Sequence, residues 1–511
     1  MGTMIPMLDL MFFLTETHEN PRHVGAVLVF KRPRRGGTRA LREIVEAYRR
    51  ARPVPPFNRV PVFRVNGLPE WREVDRFEAR WHLQRRVLPA PGTDEQLYEL
   101  VARLHSPMFE RDRPGWRIYF IEGLRDDRFA IYVRVHHSLI DGESGIALVH
   151  QTLTRSPADR HVRVLLETQL PAAAAAAKPA DATERLEREA HLLTQRALSV
   201  GQGATRLVEE ALAGLRGYSA EESRPFTAPR TLLNAPIHAR RAVAQARLPL
   251  PQMKSVAQAW GATVNDVALC MLDHAMHRYL REHDGAPNRP LTAVCPVSLH
   301  DKEAKRASTQ VSVFWAPLGQ PGAEIGERMR QVIESTQAAK QRIRSLPRDS
   351  AYAYSVMMFA FGEVVAALGQ RESDYLLPAN VLISNVRGPE EPLYLNGARL
   401  ETMCPVSTLI AGMGLNITLM SYAGHVDIGF TGNASALPDL GRMARHAEEA
   451  LVDLARAEVP ARAGPVRGRG RVPPVGAVHD APAPSKSRRR KKPPTRSRRR
   501  PSRAASRSPG G

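Results

Sequence analysis

Cysteine is scarce: only Cys270, Cys295 and Cys404 occur in 511 residues. Their odd number and wide spacing, without a C-x-x-C, argue against a disulfide framework or a thiolate zinc site and suit a reducing cytoplasm. Long apolar runs are missing too. No stretch reaches the 18 or more residues of a membrane-spanning helix. The longest candidate, VMMFAFGEVVAAL at 356–368, contains Glu363 and reads as a core or interfacial helix. The apolar opening, residues 1–13, has no basic stretch ahead of it and is broken by Pro6 and Asp9, so it does not read as a secretory signal. A soluble or peripheral protein is expected.

Acidic residues are nearly absent from the C-terminal segment. Residues 461–511 hold 16 Lys/Arg against Asp480 alone, a net of +15 out of +21 for the whole chain. The basicity is therefore mostly a tail. Rich in Arg, Pro and Ser, residues 458–511 cannot bury enough apolar surface to offset backbone ordering and are expected to be disordered. They would serve as a solvated arm or as a contact for anionic headgroups. Nucleic acid is a further option, but no aromatic residue is there to stack bases, so no specific nucleic acid is expected.

What remains is 43% hydrophobic and 24% charged over the full chain, enough for a real core. An alanine run between Pro171 and Pro179, followed by a helical leucine pattern at Leu186, Leu192, Leu193 and Leu198, reads as a linker over 166–225. It divides a first half, 1–165, from a second, 226–457. Strands are expected at 25–30, 117–124, 128–135, 291–299, 311–318 and 425–432, and helices at 94–106, 266–283 and 324–343. This is an α/β or α+β two-domain pattern.

One stretch carries chemistry: YVRVHHSLIDGESG at 132–145. Strand alternation places Phe129, Ile131, Val133 and Val135 on one face, and continuing the count brings His137 to that apolar face and His136 to the polar one. Asp141-Gly142 signals a turn, and the residues after it have helical spacing. A satisfied core histidine and a capping aspartate would be the bland outcome. Adjacent strand histidines face opposite sides and cannot share a metal ion without distortion. His274 and His277, one helical turn apart, read as a polar helix face. The sharper reading of His137 is a general base: burial keeps its imidazole neutral near pH 7, and such a base supplies roughly 10²–10⁴ in rate. No G-x-S-x-G elbow and no cysteine in a nucleophile setting accompany it, so a covalent acyl-enzyme is not suggested.

The H-H-x-x-x-D-G pattern of His136, His137, Asp141 and Gly142 resembles the motif of the bacterial wax ester synthase/acyl-CoA:diacylglycerol acyltransferases. The single-histidine form is shared with chloramphenicol acetyltransferase-like enzymes and peptide-synthetase condensation domains. The opening at 7–30, looking like that family's N-terminal strand region, the stretch 81–124, and segments at 228–250, 261–269, 296–299, 382–400 and 405–424 extend the resemblance over about residues 4–455. It implies two chloramphenicol acetyltransferase-like halves with a site between them. His137 would activate the hydroxyl of a diacylglycerol or fatty alcohol for attack on a fatty acyl-CoA. Asp141 would hold the loop by pairing with an arginine, and His136 and Gly142 would shape the turn. Asn265 and Asp266 match the family's Asn-Asp motif, with Asn265 either an oxyanion donor or a helix N-cap. No cofactor or metal is implied, with acyl-CoA as co-substrate and a membrane or lipid-droplet surface as partner. A carrier-protein-dependent condensation-like enzyme and a non-catalytic lipid-binding protein are the alternatives. Gly115, Arg387 and the pair Ser308-Thr309 depart from the family pattern, Gly115 in a way expected to alter an acyl channel.

Overall fold

The computed structural model describes residues 3–33, 37–64, 69–74, 77–169, 228–283, 285–298, 311–344, 377 and 379–459. The linker helices expected within 170–227, the apolar stretch 356–368, Ser308-Thr309 and the tail from 460 onward lie outside them.

The first sheet owes its position to apolar strands buried on both faces. Strands β2 (His23–Lys31), β6 (Trp116–Leu124) and β7 (Arg128–His136) pair antiparallel, with β5 (Leu83–Val87) parallel to β6 at one edge. Along β7, Phe129, Ile131 and Val135 enter one core, while Ala130 and Tyr132 enter another against α4 (Asp94–His105). The absence of polar alternation follows from this two-sided burial. Helix α4 starts where expected because Thr93 and Gln96 form a reciprocal capping box.

The second sheet runs β10 (Val311–Pro317), β9 (Thr292–Ser298), β11 (Val381–Arg387), β14 (Leu415–Tyr422), β15 (His425–Asn433) and β8 (Arg241–Pro249). Against it pack α6 (Leu250–Ala259), α7 (Val264–His283), α8 (Ile325–Arg344) and α9 (Leu440–Arg456). The strands expected at 25–30, 117–124, 128–135, 291–299, 311–318 and 425–432 and the helices expected at 94–106, 266–283 and 324–343 appear within a few residues of those bounds.

The two halves are stitched together by a crossing strand. β13 (Ala398–Val406) belongs to the second half in sequence but pairs with β2, so the first sheet reads β12 (Tyr394–Leu395), β13, β2, β7, β6, β5. The chain then returns to β14 in the second sheet. Glycine makes the crossing close: a Cβ on Gly429 would stand 1.8 Å from the Pro405 carbonyl oxygen.

A small third sheet, β1 (Thr3–Met4), β4 (Glu70–Glu73) and β3 (Arg59–Val62), lies beside α1 (Met7–Thr15). The resemblance suggested a strand region at the opening; residues 7–15 are instead a helix. Nearly every residue of MLDLMFFLT is apolar, so neither period shows in the sequence and tertiary packing decides.

Candidate active site

β7 ends at His136 because the chain folds back at once: the Leu139 N–H donates to the His136 carbonyl at 2.9 Å. His136 stands opposite His23 in the β2–β7 register, and the His137 N–H donates to the Arg22 carbonyl at 2.9 Å. Helix α1 lies over this turn with consecutive rings on consecutive rings. Phe13 stacks on His136, with centroids 4.3 Å apart, and Phe12 stacks on His137 at 4.2 Å. Each such pair adds about 0.5–1.5 kcal/mol beyond burial.

The two histidines have different surroundings. His136 is the deeper, 3% exposed, and does not join a polar face as alternation implied, because the strand has ended and α1 covers it. Its Nδ1 accepts from the Ser138 hydroxyl at 2.6 Å and the Ser138 N–H at 3.3 Å. With that nitrogen accepting, the ring proton sits on Nε2, 3.5 Å from the Glu16 carboxylate. Glu16 also accepts the Arg22 N–H at 3.2 Å and lies 3.6 Å from Arg111. Burial pushes its carboxyl up, but His136, the Arg22 N–H and Arg111 together hold it below the usual carboxylate range. Nδ1 of His136 is thus committed to Ser138, while Nε2 faces Glu16 without a hydrogen bond of normal geometry.

His137 is half-buried and less engaged. Its buried Nδ1 has no hydrogen-bond partner of normal geometry among the described residues. Burial lowers its pKa first. Its own backbone carbonyl and Asp141 pull upward, and His136 and Arg22 pull downward, leaving it below the ordinary histidine value. The ring is therefore neutral at pH 7.

Asp141 is exposed and caps α5 (Gly142–Thr152), accepting the Ser144 N–H at 2.8 Å. The expected arginine partner is not seen: among the described residues Asp141 makes no ion pair, and its carboxylate caps the helix instead. Gly142 opens α5, where a Cβ would meet only ordinary contact with Val386, at 3.6 Å. Across from this end lies Asp9 of α1, its carboxyl pushed up to about 7 by burial and then by the charge of Asp141.

Asn265 and Asp266 sit in the first turn of α7. The N-cap is Thr263, not Asn265: its hydroxyl accepts the Asp266 N–H at 3.2 Å, and Asp266 accepts the Thr263 N–H at 3.0 Å. Asp266 is buried, also accepting from Thr336 at 2.8 Å, with Lys340 at 3.4 Å. Its role is to fix this helix start against α8. Asn265 makes no side-chain hydrogen bond among the described residues, and none joins it to either histidine.

Other expectations resolve differently. A Cβ on Gly115 would come within 3.0 Å of the His136 Cβ, and its carbonyl accepts the His136 N–H at 2.7 Å, so this glycine packs against the histidine pair. Arg387 ends β11 exposed. His277 belongs to no polar face: it is buried with Asp273 and Arg328. Sequence reading missed Glu16, Ser138 and Arg22, ordinary polar residues that only the position of α1 gives a role. Arg22 is buried and donates to the Leu409 carbonyl of the second half at 2.5 Å, while Thr408 donates to the Pro21 carbonyl at 3.1 Å. The base of the site is thus held by both halves.

A cleft of about 1170 Å³ runs between α4, β8, β13 and α9, lined by Tyr98, Arg241, Gln245 and Arg399 among others. Neither histidine lines it. Beside His136 is a cavity of about 10 Å³, the space of one water molecule, bounded by Glu16, Gly115 and Ser138. Among the described residues no group of three or more His, Cys, Asp or Glu is placed to hold a metal ion.

Residues 5–268 match the wax ester synthase/diacylglycerol acyltransferase catalytic domain, and residues 308–455 match the C-terminal domain of the same family. The probable diacylglycerol O-acyltransferase tgs2 of Mycobacterium tuberculosis is 34% identical over 461 residues, covering 89% of this chain and 99% of that protein. The wax ester synthase/diacylglycerol acyltransferase from Marinobacter aquaeolei VT8 superposes with a TM-score of 0.70 at 30% identity, covering 88% of this chain and 98% of that one. A first condensation domain of the calcium-dependent antibiotic synthetase, at 17% identity and TM-score 0.53 over 89% of this chain and 96% of its own, shares the fold. With both family domains matched in order along nearly the whole described chain, the protein belongs to the wax ester synthase/diacylglycerol acyltransferase family.

Proposed function

We propose that this acyltransferase moves a fatty acyl group from acyl-CoA to the hydroxyl of diacylglycerol or of a long-chain alcohol, with His137 as general base in a ternary complex. The observation that carries the reading is the contrast between the paired rings: His136 is tied through Nδ1 to Ser138 and faces the Glu16 carboxylate with Nε2, whereas His137 is held by its backbone and by Phe12 and keeps a neutral ring. With the ring proton on the buried Nδ1, the Nε2 lone pair is left for substrate. Nε2 takes the hydroxyl hydrogen as that oxygen bonds to the thioester carbonyl carbon. The tetrahedral adduct then collapses, the carbon–sulfur bond breaks, and the imidazolium returns the proton to the departing thiolate. Asn265, with an uncommitted amide, is the proposed donor to the developing oxyanion. Asp141 and Gly142 set the start of α5 after the turn. The thioester is already activated, so the route calls for no cofactor.

A lipid acceptor supports a location at an inner-membrane or lipid-droplet surface, with the basic tail as one proposed contact. Purified protein given palmitoyl-CoA with diacylglycerol or hexadecanol, and no carrier protein, should yield triacylglycerol or wax ester. His137→Ala should fold normally and lose roughly 10²–10⁴ in turnover. Near-normal kcat in that variant would remove the base assignment, and product formed only from an acylated carrier protein would favour the condensation-like alternative.

A further inference from the structure

Large apolar side chains exposed on the described residues include three valines that lie apart, Val87, Val452 and Val459, and four residues that lie near one another. Met4, Leu14, Phe63 and Trp81, exposed by 63, 66, 42 and 38%, belong to α1, the small third sheet and the segments next to it. Met4 pairs in register with Glu70, which also faces Val62, the residue before Phe63. Phe63 lies edge-on to Phe13, next to Leu14 in α1, with centroids 5.6 Å apart. Arg111 bridges Phe63 and Phe13, its guanidinium 5.5 and 5.9 Å from the two rings, and donates to the Phe13 carbonyl at 3.1 Å. Two residues on, Arg113 stacks on Trp81 at 3.9 Å, with Arg80 at 5.8 Å.

This is one neighbourhood of apolar side chains interleaved with guanidinium groups. Its underside is the active site, since Phe12 and Phe13 of the same helix stack on His137 and His136. We propose that this face is the surface by which the enzyme docks on an anionic phospholipid interface, bringing the mouth of the site to the layer where its acceptor lipid resides. The inference rests on the lipid acyl-transfer reading above. Tryptophan and phenylalanine seat at the headgroup boundary while arginines reach the phosphates. Arg64 and Arg80 are paired with Glu70 and Glu78, but Arg72 on β4 makes no ion pair among the described residues and is available to an anionic headgroup. No described helix is long and apolar enough to cross a membrane, so a docked face supplies contact that no described span does.

The test uses the full chain and phosphatidylcholine/phosphatidylglycerol vesicles in about 0.5 M salt, which screens the tail's charges more than it weakens apolar insertion. Met4→Ser/Phe63→Ser/Trp81→Ser should lower the bound fraction about tenfold. Its turnover on a dispersed short-chain acceptor should stay unchanged. Brominated phospholipid should quench tryptophan fluorescence in the parent protein, and Trp81→Phe, a milder change, should remove most of that quenching. Vesicle binding unchanged in the triple variant, quenching unchanged in Trp81→Phe, or a dimer of the parent that the triple variant abolishes would each overturn the proposal. Loss of acyl transfer in the parent on every acceptor would refute the functional reading instead, and leaves the binding results readable.

Discussion

Two neighbouring imidazoles are set apart by their immediate surroundings. His136 is wedged between Ser138, Phe13 and Glu16, so its ring cannot turn toward a substrate without breaking buried contacts. His137 carries no such load. Because burial lowers its pKa from 6.5, the acid limb of kcat/KM should fall below pH 6.5, read from a pH–rate profile on a dispersed acceptor. Glu16→Ala should cost about 1–3 kcal/mol, since it strands the Arg22 N–H and removes the carboxylate facing His136 Nε2. Glu16→Gln, which still accepts, should cost less, and denaturant unfolding curves separate the two. None of these partners was legible in the sequence, where Glu16 sits among polar neighbours without a spacing that marks it. The doubled histidine and the Asp-Gly pair were legible, because strand alternation and the helical pattern that follows are local.

At the scale of the element, α1 and α7 carry unusual burdens. Asp9 of α1 is held about 7 against an ordinary 3.8, so the folded chain binds its proton more tightly than the unfolded chain. Stability should therefore fall as pH rises between those two values. Asp9→Asn removes the cost: its gain in thermal midpoint should be absent at acid pH below that window, grow across it, and stay level above pH 7. On α7, Asp273 is fully buried with His277 at 3.0 Å, takes the Gly319 N–H at 2.9 Å, and bonds to Arg328 of α8. Asp273→Ala would leave the Arg328 guanidinium buried without its carboxylate, a loss of about 3–5 kcal/mol in unfolding free energy. The helical period gave α7 correctly but not its interior. His277 reads as part of a polar helix face until α8 and the loop before it close over it.

Across the whole molecule, the crossing of β13 makes the two halves dependent on each other. Arg241 of the second half donates to the Glu19 carbonyl at 3.0 Å and to Asn20 at 3.1 Å, next to the Arg22 and Thr408 ties under the histidines. Gly429→Ala would drive a methyl group into the Pro405 carbonyl and should destabilise by about 1–3 kcal/mol or more, because both partners are backbone in paired strands. Removing residues 460–511 is expected to leave turnover in detergent intact, since every group assigned to the reaction lies before them. Loss of turnover in that truncation would show that the tail takes part in more than surface contact.

Local patterning alone determined the apolar strands, the long helices, the basic tail and the position of the histidine motif, because each is encoded in residues close together in the chain. It could not determine that residues 7–15 form a helix, that Thr263 rather than Asn265 caps α7, or that Asp141 is spent on α5. Nor could it place Glu16 against His136, or send β13 into the other half's sheet. Those outcomes depend on which distant surfaces meet, and a buried hydrogen bond or a stacked ring exists only once the fold has brought both partners together.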